Sequence, residues 1–440
     1  MLASQDASDR ATTSPGASHA DVGPSTPIPA RVRIASIDAL RGLVMFMMIF
    51  VNDLAGVSNK IVPGWMKHFH GKSGMTFVDL VFPAFLFIVG MSIPSAIGFR
   101  LNQGEPRWKT LLHVVTRVLS LLMIGILMVN ETPDSVIMGW SGSLWCTLMY
   151  LSAILAFCTI SGPRKTGAAT HQTQPLRIIS VILRAVGLLG LACLAFAFRG
   201  EDGHRIITLS PFHIHTEWYG ILGLIGWAYL VGAIVFMVFR ANLAALLGSI
   251  VLLMCLYPAD RTGAFDHFWL ARYLGIGEMF GSHAAITVAG ILLAIPLGAP
   301  DKGSVWSRTR FTLLFIAGFA AGAWLLTGLY GINKNNATPS WCLWACAFTA
   351  ALWLLLYFLS DVKPVHFIAR PLVVAGQNVL LAYLLSEMLP STINLLDLGD
   401  WYGHLAEPDL LHAVVRSAAC AAVILCATAA LNRIGFRLRL

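Results

Sequence analysis

Twelve apolar stretches, each roughly 17 to 24 residues long, recur along this chain, and each is long enough to cross a hydrocarbon layer about 30 Å thick as a helix. They lie near 38–56, 76–98, 109–129, 137–160, 176–198, 217–239, 241–258, 282–298, 310–330, 342–360, 371–389 and 409–431. Backbone groups inside lipid must find hydrogen-bond partners within the protein, so spans of this kind are helices. The 440 residues are 57% hydrophobic and 12% charged, which is more apolar surface than one soluble core could bury. The expected class is therefore all-α, a polytopic integral membrane bundle of about 10–12 transmembrane helices.

Residues 1–33 are rich in Ser, Thr, Ala, Pro and Gly, have too few large apolar residues to fold and lack the apolar core of a signal peptide. They are expected to form a disordered cytoplasmic tail ahead of a transmembrane domain over 34–440. Lys and Arg set the orientation. Arg31, Arg33 and Arg41 flank the first span, Arg100, Arg107 and Lys109 follow the second, and Lys363, Arg370, Arg433, Arg437 and Arg439 fall on the same side further on. Both termini are thus expected in the cytoplasm, with the loop carrying His68 and His70 on the opposite face, the periplasm if the membrane is a bacterial inner membrane. Lys60, Lys67 and Lys72 in that loop weaken the asymmetry without reversing it. The net charge of +8 reads as this topology signal; no basic helix or aromatic module lies outside the spans, so nucleic acid is not an expected partner. The eight cysteines sit within apolar spans with no CxxC pair, which points to packing rather than disulfides or zinc.

Ionisable groups within spans are costly and so are the functional candidates. In SIDALRG (36–42), Ser36 can cap the first helix and Asp38 can pair with Arg41 at i,i+3; the group either anchors the helix start or lines a cytoplasmic ligand entrance. A second set joins Asn52 and Asp53, at the far end of span one, to His68, His70 and Asp79 in and after the following loop. Asp79 suits a helix N-terminus, and an imidazole beside a carboxylate can have its tautomer fixed for acid or base work. The third set is Asn333, Lys334, Asn335 and Asn336 in GINKNNATPSW, donors suited to hydroxyl-rich or anionic ligands or simply to a polar turn. Gln377, Asn378, Tyr383 and Glu387 lie in or beside span eleven, where helix-to-helix hydrogen bonding is the plainer explanation of Asn378. His213 and His215, near His204, would make a thin metal site, and no metal is expected.

These pieces resemble, in order, the transmembrane family that includes heparan-alpha-glucosaminide N-acetyltransferase and its bacterial relatives. SIDALRG is similar to that family's opening, IFVND (49–53) to the end of its first core helix, KHFHGKSGMTFVDLVFPAFLFIVGMSI (67–93) to its histidine-containing stretch, and INKN and GQNVLLAY to its later region. The resemblance implies that acetyl-CoA enters from the cytoplasm and that its acetyl group passes to the amino group of a terminal glucosamine on the other side. It places the functional asparagine on Asn52 and the catalytic histidine on His68, with His70 as a competitor. Asp53, Asp79, Asn333, Lys334, Asn335, Asn378 and Tyr383 then fall to the sugar, and Ser36, Asp38, Arg41, Arg100, Arg107 and Lys363 to coenzyme A.

The chemistry asks for a base to free the amine and a donor for the thioester oxyanion, roles for His68 and Asn52; a covalent acetyl-imidazole is the other route. Expected partners are the bilayer, coenzyme A and an amino sugar or glycan, with a homodimer left open. The rival expectation is an inner-membrane transporter for N-acetylglucosamine, binding the sugar at the same outer mouth without thioester or base.

Overall fold

The computed structural model describes residues 34–130, 132–162, 174–210, 212–215, 219–297 and 304–440, so the expected tail lies outside the described residues. Among them, ten helices are long and apolar enough to cross a bilayer. They are α1 (Ala35–Ala55), α2 (Phe77–Asn102), α3 (Arg107–Val129), α5 (Gln174–Ala197), α6 (Gly220–Phe239), α7 (Leu243–Arg261), α8 (Ile276–Ala294), α9 (Val305–Tyr330), α10 (Pro339–Val362) and α13 (Leu410–Arg433). The shorter α4 (Gly142–Phe157) fills the place of the fourth stretch, and α11 (Ala369–Ala375) with α12 (Val379–Leu395), bent by 77°, fills that of the eleventh. Every expected stretch therefore coincides with a helix, and the chain is a multi-pass membrane protein.

The bundle is layered by burial. α8 is the most enclosed helix, with 89% of its apolar window buried, whereas α7 and α9 bury only 17% and 22% and face outward. Lipid supplies no hydrophobic drive between helices, so close backbone approach through small residues does the joining. α2 and α8 meet this way: a Cβ on Gly90 would stand 1.9 Å from the Thr287 carbonyl oxygen, and one on Gly290 would stand 2.0 Å from that of Phe87. α1 and α11 repeat the device with Gly42 against Leu372 and Gly376 against Asp38.

α1 defines two ends of the bundle. At its start the helix is capped from 325 residues away: Asp361, at the end of α10, accepts the backbone N–H groups of Ala35 (3.1 Å) and Ser36 (3.0 Å). This corrects the expected cap. Ser36 lies inside the helix, fully buried, and its hydroxyl has no hydrogen-bond partner among the described residues. Arg41 pairs with Asp38 at 2.6 Å as expected, and also donates to Ser92 Oγ on α2 and to the Gly376 carbonyl at the α11–α12 bend. Asn378, in that bend, holds β4 (Phe436–Leu438) through the Phe436 carbonyl and the Leu438 N–H; β4 pairs antiparallel with β1 (Cys158–Ile160). A hairpin, β2 (Ile207–Leu209) with β3 (Phe212–Ile214), is the other small sheet.

α6 and α7 are separated by an abrupt turn that sequence composition hides. Arg240 takes a positive φ of 53°, a position that favours glycine, and Asn242 caps α7 by accepting the Ala245 N–H.

Candidate active site

At the far end of α1 the chain crosses a loop before re-entering the bundle as α2. Lys67 fastens this loop by donating to the Val57 carbonyl and Asn59 Oδ1, and Thr76 Oγ1 closes it from the other side onto the Lys67 carbonyl at 2.7 Å. Thr76 and Asp79 form a capping box at the start of α2, so the expected capping role of Asp79 holds. The same carboxylate does more. Its Oδ2 accepts the Phe69 and Thr76 N–H groups at 3.1 and 3.0 Å, and its Oδ1 lies 2.8 Å from His68 Nδ1.

The dyad this makes is directional. Asp79 is 1% exposed while the His68 side chain is 38% exposed, so the acid is fixed in the wall and the imidazole faces the opening. An ionised carboxylate only accepts, which puts the ring hydrogen on Nδ1 and makes Nε2 the acceptor nitrogen of the ring. A histidine held in this way can serve as a general base.

A second loop completes the site. Residues 331–338 turn at Gly331 (φ 66°), and the turn is organised by Thr338 Oγ1, which accepts the Asn333 N–H, and by Asn333 Oδ1, which accepts the Asn336 N–H. Two bonds staple it to the first loop: Gly74 N–H to the Ile332 carbonyl (2.8 Å) and Ile332 N–H to Ser73 Oγ (3.0 Å). Lys334 is thereby delivered to His68, its Nζ 3.1 Å from Nδ1 and 3.3 Å from Nε2. Burial lowers the Lys334 pKa from the usual lysine value, against the opposing pull of the Asp79 charge. Asp79 and His68 from one region and Lys334 from another, 266 residues on, are thus one cluster.

Asn52 and Asp53 belong to a neighbouring cluster built from the C-terminal third of the chain. Asp53 accepts from Tyr402 OH (2.6 Å), Ser417 Oγ (2.6 Å) and both Nε and Nη2 of Arg416 (3.2 and 3.0 Å). Its charge is answered within the protein by Arg416. Burial and the Asp53 carboxylate together push the Tyr402 hydroxyl pKa upward. Asn52 donates to Glu387 Oε1 at 3.1 Å, and these groups line a cavity of ≈ 240 Å³ with Ser386 and Asn394. The Arg416 partnership was missed in the sequence, although a charge inside the apolar stretch 409–431 was the signal for it.

The remaining expectations divide. His70 and Asn335 are exposed, and neither side chain has a hydrogen-bond partner among the described residues. Asn378 sits at the end where α1 begins, bonded to β4, because α12 starts there after the bend at 376–378, and Tyr383 is buried partway along α12. Of the coenzyme A candidates, Ser36 is fully buried and Asp38 and Arg41 pair with each other, whereas Arg100 (paired with Glu105 at 3.4 Å), Arg107 and Lys363 are exposed. The imidazoles of His204, His213 and His215 stand close together, but among the described residues no group of three ligating side chains could hold a metal ion.

With this geometry in view, comparison with known proteins places the chain. The family described as Domain of unknown function (DUF5009) matches residues 33–264, more than half of the chain, including His68 and Asp79. The chain belongs to this family. Among curated proteins it is similar to heparan-alpha-glucosaminide N-acetyltransferase of Mus musculus, 35% identical over 111 residues, and to that of Homo sapiens, 35% identical over 114 residues. Each match covers 25% of this chain and 16% of the relative, so the DUF5009 protein aligns with about a sixth of the length of these curated relatives. The resemblance carried by the SIDALRG and KHFHGKSGMTFVDLVFP motifs is borne out.

Proposed function

We propose that this protein is a transmembrane N-acetyltransferase that moves the acetyl group of acetyl-CoA onto the amino group of a glucosamine-type sugar, with His68 as general base. The observation that carries the reading is the His68–Asp79 pair at 2.8 Å, buried on the acid side and open on the imidazole side, in a chain similar to named N-acetyltransferases.

The residues divide the work as follows. The sugar ammonium gives up one proton to solvent, and His68 Nε2 takes the second as the amine nitrogen adds to the thioester carbonyl; the C–S bond breaks, and the thiolate leaves with the proton returned by the imidazolium. Asp79 holds the Nδ1–H and stabilises the imidazolium while it exists. Lys334, 3.3 Å from Nε2, is the donor the geometry offers to the oxyanion. Asn52, whose amide is engaged by Glu387, bounds the adjoining cavity, and it serves the oxyanion when that bond is exchanged.

The inside-positive pattern supports an orientation with α1 starting in the cytoplasm of a bacterial inner membrane, so that His68 faces the periplasm. Arg100, Arg107 and Lys363 are then the exposed cations for the coenzyme A phosphates. An apolar slot of ≈ 280 Å³ between α1, α2 and α10 reaches from Leu43, two residues past Arg41, to Phe77 and Leu80 beside Asp79, and it is the path proposed for the acyl-thioester end.

The test is acetyl transfer by purified protein from labelled acetyl-CoA to glucosamine. General acid–base catalysis contributes about 10²–10⁴-fold, so His68→Ala is expected to lower kcat by that order while His70→Ala leaves it near wild type. Wild-type protein that moves N-acetylglucosamine across vesicles but never acetylates glucosamine would overturn the reading.

A further inference from the structure

The two outward-facing helices α7 and α9 leave between them an apolar groove of ≈ 790 Å³, larger than either cavity described above. Leu247, Val251 and Met254 form one wall and Leu314, Gly318 and Phe319 the other. Lining residues run from Leu243 to Pro258 along α7, about 22 Å at 1.5 Å per residue, so the groove follows most of the helix. A Cβ on Gly318 would meet nothing within 4 Å. Packing does not demand glycine there, and its absent side chain keeps the groove open.

The groove ends in a polar collar that leads to His68. Arg261, the last residue of α7, donates to Asn336 Oδ1 at 3.0 Å and lies over the Tyr257 ring, which meets Tyr330 edge-on at 5.7 Å. Asp260 and Glu278 are close by, Asp260 accepting the Gly277 N–H. The collar is mixed in charge and rich in donors and acceptors, which suits sugar hydroxyls and a polar linkage rather than a bare anion. Asn336 belongs to the same hydrogen-bonded turn as Lys334, whose Nζ touches His68.

Resting on the acetyltransferase reading, we infer that the acceptor is a glycolipid: its hydrocarbon tail lies in the α7–α9 groove, its linkage crosses the collar at Arg261 and Asn336, and its amino sugar reaches His68. Because surrounding lipid is as apolar as the groove, the tail gains packing and alignment rather than hydrophobic burial. The groove therefore acts mainly by orienting an acceptor that already resides in the membrane.

The experiment uses the full-length protein in phosphatidylcholine nanodiscs, with acetyl-CoA and either octadecyl glucosaminide or free glucosamine. Gly318→Phe and Leu247→Trp each fill the groove from a different wall. Loss of packing and alignment is expected to raise KM for octadecyl glucosaminide about tenfold in both variants and to leave KM for free glucosamine within about twofold. An unchanged KM for the octadecyl compound, or an equal rise for both acceptors, overturns the inference. Native mass spectrometry reads the groove independently of chemistry: wild type is expected to retain octadecyl glucosaminide and Gly318→Phe to lose it. Equal retention by both, or displacement by an excess of phosphatidylglycerol, marks an ordinary phospholipid site and also overturns it. Should wild type acetylate neither acceptor, the acetyltransferase reading fails while the retention result still decides whether the groove holds the glycolipid.

Discussion

Asp79→Asn separates a structural cap from a catalytic orienter. The native carboxylate accepts on both oxygens, from His68 on Oδ1 and from the Phe69 and Thr76 N–H groups on Oδ2. An asparagine has one oxygen and must choose. If the oxygen faces the two N–H groups, the amide NH₂ meets His68 Nδ1 and forces the ring hydrogen onto Nε2, where the base is needed. If it faces His68, two backbone donors in a site that is 1% exposed lose their acceptor, at about 1–3 kcal/mol each. The imidazole keeps one hydrogen bond either way, so the first choice is cheaper by about 2–6 kcal/mol, and the variant is expected to fold and to carry the wrong tautomer. Its kcat should fall by about 10²–10⁴, the range of a lost general base, with only a small shift in the melting temperature followed by intrinsic fluorescence. Thr76→Ala provides the contrast: it weakens the capping box by about 1 kcal/mol and leaves kcat near wild type. The double variant His68→Ala, Asp79→Asn should be no slower than His68→Ala alone. Asp79→Asn activity within about threefold of wild type, or additive losses in the double variant, would refute the coupling of Asp79 to His68.

Other outcomes follow from the same structure. Gly90→Leu drives a side chain into the Thr287 carbonyl across the α2–α8 contact, so monodisperse protein in detergent should be lost, whereas Gly318→Leu, facing open space, should purify normally. Asp53→Ala leaves the Arg416 guanidinium, 9% exposed, without its main partner; breaking a buried ion pair in this way costs about 3–5 kcal/mol and should lower the melting temperature, while Asp53→Ala with Arg416→Met recovers part of it. If Lys334 acts as its ammonium, activity is lost as that group deprotonates; since burial lowers its pKa, the alkaline limb of kcat/KM should fall below the usual lysine value of 10.5, move lower still in Asp79→Asn as the attractive charge is removed, and vanish in Lys334→Arg. Met47→Trp narrows the slot between α1, α2 and α10, and is expected to raise KM for acetyl-CoA several-fold with little change in KM for the amine.

What was legible in the sequence, and what was not, has a physical pattern. The helices were legible because the thickness of a bilayer imposes a length and the need to satisfy the backbone imposes helicity, and both leave a mark on every stretch. The His68–Asp79 pair was also within reach, since eleven residues of one loop separate the partners. Contacts between distant helices leave no such mark. Lys334 comes to His68 from 266 residues away, Arg416 to Asp53 from 363, and Asp361 to Ser36 from 325, so the cap assigned to Ser36 was a local reading of a helix start whose partner is remote, and the ion pair of Asp53 was out of view. Asn378 was misplaced for a different reason: residues 371–389 read as one straight span, and the 77° bend starts the crossing helix at 379, which leaves Asn378 at the opposite end of the bundle from Lys334.

The central claim is that an acetyl donor on one face of the membrane meets an acceptor at His68 on the other. Proteoliposomes sorted for a single orientation, given labelled acetyl-CoA on the side of Arg100, Arg107 and Lys363 and glucosamine on the side of His68, measure this directly. The account predicts labelled N-acetylglucosamine only in the glucosamine compartment, and none with His68→Ala. Product that forms only when both substrates share the basic face, or that persists in His68→Ala, would contradict it.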